Sequence, residues 1–498
     1  MTEIRGSRGI RRWWWLLIAV ALVAAACGGN DDDGSADTSE PSAAQEQTSA
    51  PADEPSDEPS DQPVEEPADE PAETAPEESA ETPADEPAKT PDEPTPEPTP
   101  IVLTASYQGV TETEIAIGIA AIDIEMLASI GVDLSPFPVE NFYAALVDDL
   151  NQRGGINGRD VVVHVSLFFP LGAAANEAVC VELMEDRKVF VVIGQFLEDY
   201  ALCITETHGH PYVGHFGENT ERQARSNGLF FAAEMNQTHM RVGGVIEMIR
   251  AGDLDGHNVG IYYEAPPDKE YADAIRPLLE DAGINVVGVY PRGAPTGDAV
   301  ADQPTTDNIS YRMEADGVDL ILNLSNVHGI IQSTQRLGWD VPIALTNGQA
   351  ADRTTISDDL SLTNESLART FAVTTHKPSP EQAIADPGVQ QCIGAYEERF
   401  GDEPLDLDDS EVVLGITTHC RAFVLTVRIL EEAGGNITPE TFIAAGERMG
   451  TFDLPAMAGA SLSPDKHSAG SHVQRYEFDS EERTWLPVGD SIPFEPVE

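Results

Sequence analysis

The chain has 498 residues and a formal net charge of −59 at pH 7, with 87 acidic and 28 basic side chains. Once residues 28–100 (−23) and residues 1–27 (+3) are subtracted from that total, the remaining residues still carry about −39. A surface this acidic argues against a nucleic-acid partner, because nucleic-acid binding depends on lysine and arginine side chains that neutralise phosphate.

Residues 1–27 are typical of an export signal peptide. Arginines between Arg5 and Arg12 precede an uncharged apolar run, Trp13 to Ala26, which is shorter than the roughly 20 residues that a membrane-spanning helix needs. The run ends in AAAC, and small residues directly before Cys27 resemble a bacterial lipobox, in which the cysteine is lipidated. We therefore expect Cys27 to anchor the protein to the extracytoplasmic face of a bacterial cell membrane. The alternative is an ordinary signal peptide followed by an incidental cysteine.

Residues 28–110 follow as a linker rich in proline and acidic residues. Between residues 28 and 100 there are 24 acidic side chains, one lysine (Lys89) and almost no apolar residues. No hydrophobic core can offset the entropy cost of ordering such a segment, so we expect it to be disordered. Like charges and frequent prolines favour an extended tether between the anchor and a folded body.

From Glu114 onwards, predicted strands and helices alternate. The residues EIAIGIA predict a strand, and PVENFYAALVDDLNQR predicts a helix with one apolar face. Gly154 and Gly155 provide a helix stop, Asn157 and Gly158 form a second tight turn, and DVVVHVSLFF is the next strand. The alternation continues through AANEAVCVELMED, VFVVIG, DYALCITETHG and PYVGHF. This order is typical of a parallel sheet with helices on both faces.

A second series of the same kind begins near residue 236. Helices and strands are predicted in turn at NQTHMRVGGVIEMIRAG, NVGIYYE, KEYADAIRPLLEDAG, NVVGVYP, DLILNLS, GIIQSTQRLGW, VPIALTNG and RTFAVTTH. Two long helices follow, of which the second has an apolar stripe from Val412 to Leu430. A hairpin of HVQRYEFDS and TWLPVG ends the series. The folded part is too long for a usual single core, so we predict an α/β fold with two doubly wound lobes.

Four cysteines lie in the folded part, and an even number in an exported chain indicates disulfides. Three pairings are possible. We expect Cys180–Cys203 and Cys392–Cys420, because each of these pairs is local in the sequence.

The sequence also resembles a known family. The order of ETEIAIGI, FYAALVDDLNQRGGINGRDVVVHV and AVCVELMEDRKVFVVIG is similar to that of type 1 periplasmic binding proteins, specifically the branched-chain amino acid-binding group of ABC-transporter receptors. The resemblance covers about residues 111–498, and NQRGGINGR is its most specific element. The hairpin sequence YEFDSEERTWLPV resembles the C-terminal hairpin of the family.

The resemblance implies two lobes joined by three hinge crossings, with a ligand bound between them. Lobe 1 would comprise residues 111–232 and 373–452, and lobe 2 residues 233–372 and 453–498. It further implies a non-catalytic receptor without cofactor, anchored in the membrane by lipid and working with the permease subunits of an ABC importer. We expect a monomer that binds a small polar molecule such as an amino acid or an amide.

Residues at the carboxyl ends of the strands are the candidate ligand contacts, because ligands of open α/β sheets bind at that edge. In lobe 1 these residues are Asp123, Gln195, Phe196, Glu198, His215, Glu218 and Asn219. In lobe 2 they are Tyr263, Tyr271, Asn326 and Gln349.

At these positions the sequence departs in part from the amino acid binders of the family. The hydroxyls that hold a ligand carboxylate in those proteins are missing from QFLED and HFGEN, and no acidic residue stands near Gly348 to bind an α-ammonium group. Tyr271, in contrast, matches a tyrosine of the family. A branched-chain amino acid is therefore a doubtful ligand.

Some residues of this region also suggest metal binding or catalysis. His208, His210 and His215, with Glu218 nearby, are residue types that bind zinc, but a strand of about 13 Å separates the first two from the third. No metal site is therefore predicted. No motif for nucleophilic, metal-dependent or phosphate-transfer catalysis occurs, so an enzyme is not expected. A receptor that signals its ligand state to a partner protein remains an alternative to a transport receptor.

Overall fold

The computed structural model describes residues 102–129, 135–169, 173–196, 198–217, 219–264, 268–293, 299–325, 327–348 and 361–494. The first half contains strands β1 (Glu114–Ile122), β2 (Asp160–Phe168), β3 (Val191–Gly194), β4 (Tyr212–Gly214) and β5 (Phe230–Ala232). Its helices are α1 (Ile124–Ser129), α2 (Val139–Gln152), α3 (Ala173–Val181) and α4 (Thr220–Arg225). Single turns of other helix types occur at Glu182–Asp186, Glu198–Ala201 and Cys203–Thr207.

The second half begins with a further helix and strand series. It contains α5 (Gln237–Ala251), β6 (Asn258–Tyr263), α6 (Lys269–Asp281), β7 (Asn285–Pro291), α7 (Ala299–Ala315), β8 (Leu320–Asn323), α8 (Val327–Leu337), β9 (Ile343–Leu345), α9 (Asn364–Leu367) and β10 (Thr370–Thr375). Helices α10 (Pro380–Ala385), α11 (Pro387–Phe400), α12 (Ser410–Ala433) and α13 (Pro439–Arg448) come next. The described chain ends with β11 (Gly450–Phe452), β12 (Ala460–Leu462), β13 (His472–Asp479) and β14 (Thr484–Pro493).

These strands form two large sheets, as predicted for two α/β lobes. The first sheet has the order β2-β1-β3-β4-β5 and is parallel throughout. The second has the order β14-β13-β10-β9-β8-β6-β7, in which β6 to β10 are parallel. The predicted C-terminal hairpin is confirmed, and it extends this sheet because β13 pairs antiparallel with β10. Strands β11 and β12 form a separate small hairpin that the sequence pattern did not predict.

The glycine-rich joint between α2 and β2 has the predicted form. Gly154 and Gly155 have φ angles of 105° and 64°, and Asn157 and Gly158 also have positive φ. A Cβ atom at Gly155 would lie 1.9 Å from the carbonyl oxygen of Arg159, so only glycine fits there. These glycines therefore shape the turn from helix to strand.

The first lobe is built around a core that includes the long helix α12. The predicted apolar stripe of this helix is buried at Val412, Ile416, Cys420, Phe423 and Leu430. By length and composition alone α12 could cross a membrane, but most of it is buried inside the protein.

Both predicted disulfides are confirmed. Cys180 is bonded to Cys203 with Cα atoms 6.3 Å apart, and Cys392 to Cys420 with Cα atoms 6.1 Å apart. The second disulfide joins α11 to α12 inside the first-lobe core.

The chain passes between the two sheets three times, after β5, after β10 and before β13. The first and third passages are paired, because Ala232 donates its backbone N–H to His467 and accepts one from Ala469, at 3.0 and 2.8 Å. The second and third are joined by a bond of 3.2 Å from the N–H of His376 to the carbonyl of His472. These three segments form the predicted hinge.

The predicted end of the linker at residue 110 is too late, because the last residues of that range pack on the first lobe. Val110 is buried, and the hydroxyl of Ser106 donates to the carbonyl oxygen of Ile437 at 2.7 Å.

Two predicted lobe boundaries also do not agree with the sheets and cores. The boundary at residue 373 falls inside β10, which lies wholly in the second sheet, so the chain leaves that sheet after Thr375. The boundary at 453 assigned the next residues to lobe 2. The structure instead packs Leu454, Leu462 and Ala469 into the first core, because the β11–β12 hairpin lies against lobe 1.

Candidate functional site

The carboxyl ends of four parallel strands meet at one edge of the second sheet. Neighbouring strands run in the order β10, β9, β8 and β6, and a polar residue lies within two positions of the end of each. The side-chain amide of Asn347, after β9, donates to the carbonyl oxygen of Ser325, after β8. This hydrogen bond joins the segments that follow β8 and β9, and charged side chains lie next to them.

Arg241, in the first turns of α5, is the buried cation of this edge. Its Nε donates to the carbonyl oxygen of Leu324 at 2.6 Å, and its Nη1 donates to the backbone and side-chain oxygens of Gln237 at 3.0 and 2.8 Å. The guanidinium carbon lies 4.0 Å from the ring centre of Tyr271, within the range of a cation–π interaction. The predicted site residue Tyr271 is thus buried against the guanidinium group of Arg241, a residue that was not predicted from the sequence.

The acidic side chains near this edge accept hydrogen bonds from other groups of the protein. Asp268 accepts hydrogen bonds from the hydroxyl of Ser325 and, at 3.2 Å, from the backbone N–H of Glu264. Burial raises the pKa of Asp268, while the charge of Arg241 acts to lower it. Glu264 pairs with Arg292; burial raises the pKa of this glutamate as well, and Arg292 opposes the shift.

Lys377, two residues after β10, is the second cation of this edge. A Cβ atom at Gly348 would lie 3.7 Å from its Nζ and 3.6 Å from the sulfur of Met240. The backbone N–H of Lys377 donates to the hydroxyl of Tyr476 at 2.9 Å, and the side chain is half-buried. In the described part of the chain, no carboxylate lies within ion-pairing distance of its ammonium group.

One carboxylate joins the two lobes. Glu270, in the first turn of α6 in the second lobe, accepts hydrogen bonds from the backbone N–H groups of Thr220 and Glu221, at 2.9 and 3.4 Å. These groups begin helix α4 of the first lobe, and an acidic side chain is favourable at a helix N-terminus. Glu270 also accepts a bond from the hydroxyl of Thr238 in α5. The contact bridges the lobes beside Tyr271.

Replacement of Glu270 by alanine is expected to favour separation of the lobes and to weaken ligand binding by about tenfold, because hydrogen bonds to a charged group contribute about 1.5–3 kcal/mol. Calorimetric titration of the variant with a solute that binds the wild type would measure the change. Glu280→Ala, at the exposed end of the same helix, is the matched control and should bind normally. Unchanged affinity of the Glu270→Ala protein would contradict a role for this contact in closure.

Most of the residues of lobe 1 that were predicted to bind ligand make hydrogen bonds or packing contacts within that lobe. Asp123 accepts the backbone N–H of Met126 at 2.9 Å, and Asn219 caps α4 by accepting that of Arg222 at 2.9 Å. Phe196 is buried against Phe168 and Tyr212, and its contact with a ligand stays a prediction. Gln195 follows β3 and is half-buried.

His215 directly follows β4 and is buried in an aromatic cluster of the first lobe, so its contact with a ligand stays a prediction. Its Nε2 lies 3.5 Å from the hydroxyl of Tyr143, which is 3.1 Å from Nδ1 of His419. Phe137 stacks on His419 with ring centres 5.1 Å apart. Burial lowers the pKa of His215 well below its ordinary value and that of His419 to about 3, so both rings are neutral near pH 7.

The histidines weighed as a zinc site do not come together. Nδ1 of His210 lies 2.9 Å from the carbonyl oxygen of Phe190, while His215 faces Tyr143. Among the described residues, the one group of three potential metal ligands is Cys180, Cys203 and His208, and the disulfide leaves no thiolate there.

In lobe 2, Tyr263 ends β6 and is buried in the same core cluster as Tyr271. Of Glu198, only the backbone is described, at the start of a single turn. Four predicted residues lie outside the described part of the chain: Cys27, Glu218, Asn326 and Gln349.

Three charged residues of this region are not among those predicted from the sequence: Arg241, Glu270 and Lys377. One signal was available for Lys377, since the whole chain has only five lysines and this one directly follows a predicted strand. For Arg241 and Glu270 no local pattern distinguishes them from surface residues of an amphipathic helix.

A family comparison identifies the architecture. Residues 138–482, more than half of the chain, match the sequence model of a family described as periplasmic binding protein. The chain belongs to the type 1 periplasmic binding protein family. Members of this family are extracytoplasmic, non-enzymatic receptors that bind small molecules and work with the permease subunits of ABC transporters.

Solved structures of ABC-transporter binding proteins share the fold of this binding protein. A substrate-binding protein from Desulfitobacterium hafniense in complex with Leu has 16% identity and a TM-score of 0.52, covering 75% of this chain and 100% of its own. A solute-binding protein from R. palustris in complex with 4-hydroxybenzoate has 15% identity and a TM-score of 0.54, covering 77% and 98%. A fatty acid ABC transporter substrate-binding protein from Thermomonospora curvata has 17% identity and a TM-score of 0.53, covering 79% and 95%. No curated protein sequence matches this chain.

Proposed function

We propose that this binding protein captures a small polar solute between its two lobes and delivers it to the permease of an ABC importer. Cys27 would anchor it to the outer face of the cell membrane, and residues 28–101 would act as the tether. Lobe 1 would comprise residues 102–232 and 376–469, and lobe 2 residues 233–375 and 470–498.

The contact between Glu270 and the start of α4 carries this proposal. It joins the strand-end edges of the two sheets directly beside the buried pair Arg241 and Tyr271. A solute enclosed there would replace its hydrogen bonds to water with hydrogen bonds to protein groups. These bonds are stronger because the dielectric constant is lower between the lobes than in water. Structural relatives that were solved with Leu and with 4-hydroxybenzoate are consistent with a small organic ligand.

Ligand binding is expected to compact the folded body, because a solute that prefers the closed state shifts the equilibrium between open and closed lobes. A thermal-shift screen of amino acids, amides, aromatic acids, aliphatic acids and polyols would first identify a ligand, since binding raises apparent stability. Small-angle scattering of a shortened chain that begins at residue 101 would then measure the radius of gyration with and without it.

A smaller radius of gyration with ligand would support capture between the lobes. Recovery of the solute in chemically altered form at a catalytic rate would contradict a receptor function. An unchanged radius of gyration with a saturating ligand would contradict binding by closure.

A further inference from the structure

At the strand-end edge of the second lobe, the carboxylates have hydrogen-bond donors within the chain, whereas two cations have no carboxylate partner among the described residues. The described carboxylates nearby, Glu264, Asp268 and Glu270, all accept hydrogen bonds from donors of the chain. The cations Arg241 and Lys377 have no carboxylate partner within ion-pairing distance in that same part of the chain. The charged groups that remain at this edge to bind a solute are therefore the two cations, although the protein as a whole is strongly acidic.

The surroundings of Lys377 favour an anionic partner. Lys377 is half-buried, and its side chain ends beside Gly348 and Met240, neither of which carries a charge. A charge withdrawn from water without a partner is unfavourable, and an anion relieves that cost. Although the chain has 87 acidic residues, none of those that the structure describes lies within ion-pairing distance of this half-buried lysine.

Arg241 lies on the same edge. It donates to the end of β8, whereas Lys377 follows β10, and β9 lies between these two strands. The two cations therefore lie on either side of the end of β9. Nη2 of Arg241 makes no hydrogen bond to the described residues.

The strand-end edge of the first lobe offers apolar surface instead. Met126, just after β1, is 48% exposed, and Phe216, just after β4, is 45% exposed. Large apolar side chains exposed at a ligand-binding edge are suited to contact the hydrocarbon part of a solute.

We propose that the ligand is an organic acid with an apolar aromatic or aliphatic body and no α-ammonium group. This inference rests on the proposed function. The carboxylate binds at the end of β9 and pairs with Lys377, with Arg241 adding to the positive potential, while the apolar body contacts the first lobe at Phe216. An α-ammonium group at Gly348 would meet the like charge of Lys377, and no carboxylate of the described residues lies within ion-pairing distance of that lysine.

Matched probes test this chemistry on the full-length exported protein. Benzoate is compared with benzamide, and 4-methylpentanoate with 4-methylpentanamide and leucine, by thermal shift and calorimetric titration at pH 7. We expect the acids to raise the melting temperature and the amides and leucine to have little effect. Lys377→Gln should weaken acid binding about 10- to 100-fold, as expected for loss of a charge-assisted hydrogen bond.

Lys269→Gln is the control, because Lys269 is an exposed lysine of the same lobe that pairs with Asp273; this variant should bind acids like the wild type. Circular dichroism of both variants would show that they fold. Equal binding of acids and amides, preference for leucine, or normal acid binding by Lys377→Gln would overturn the inference while leaving solute capture intact. The absence of binding by every compound of the wider screen would instead contradict the proposed function.

Discussion

Replacement of Arg421 by methionine is expected to lower the free energy of unfolding by about 3–5 kcal/mol, the cost of breaking a buried ion pair by removal of one partner. Arg421 lies on α12, is 6% exposed and pairs with Glu234 of the first hinge passage at 2.9 Å. It also donates to the carbonyl oxygens of Pro455 and Ala456, at 3.0 and 3.2 Å. The variant would leave a half-buried carboxylate and two carbonyl groups without this donor.

Urea unfolding of the wild type and variants would measure this loss. Arg399→Met is the matched control, because Arg399 is a partly exposed arginine of α11 that pairs with Asp148 and should contribute less than about 1 kcal/mol. The double variant Arg421→Met, Glu234→Gln should recover part of the loss, since it removes the unpaired charge. If Arg421→Met were no more destabilising than Arg399→Met, the hinge would not depend on this ion pair.

Acidification from pH 7 to pH 4 is expected to destabilise the first lobe by about 3 kcal/mol through His419 alone. Burial lowers the pKa of His419 to about 3 in the folded protein, whereas an unfolded histidine has a pKa near 6.5. Between these values the unfolded chain binds a proton that the folded chain does not. Stability is therefore greatest above pH 6.5 and falls by about 1.4 kcal/mol per pH unit as the pH is lowered towards 3. The pKa of His215 is shifted in the same direction by burial.

The many carboxylates of the chain also titrate in this range. The test therefore compares the pH dependence of the free energy of unfolding between the wild type and histidine variants. Urea unfolding between pH 7 and pH 4 should show a shallower loss of stability for His419→Gln than for the wild type, and a shallower loss still for the double variant His215→Gln, His419→Gln. Identical slopes for all three proteins would mean that these histidines are protonated in the folded state.

The order of helices and strands and the pairing of cysteines could be read from the sequence, because both depend on local information. Apolar residues recur with the period of a helix along α12, and glycines at Gly154 and Gly155 can adopt the positive φ angles of the joint that follows α2. Cys392 and Cys420 lie on neighbouring helices close in the chain. Residues near the strand ends were also predictable in outline, since the carboxyl edge of a parallel sheet follows from the element order.

Which of those side chains pack into a lobe was decided only by tertiary structure. His215 and Phe196 follow strands as predicted, yet packing turns their side chains into the first lobe, towards Tyr143 and Phe168. The lobe boundaries likewise depend on the β11–β12 hairpin, whose short strands give no clear alternating pattern.

The pairing of charges in the candidate site was also decided only by the tertiary structure. Glu270 meets Thr220, Arg421 meets Glu234, and Lys377 lies beside Gly348, and all three contacts join residues far apart in the chain. Composition alone indicated an acidic protein, and acidic residues follow several strands. Electrostatic interactions act over a few ångströms in space, so whether a charge is paired or free is determined by which distant segments the fold brings together, and no local sequence pattern contains that information.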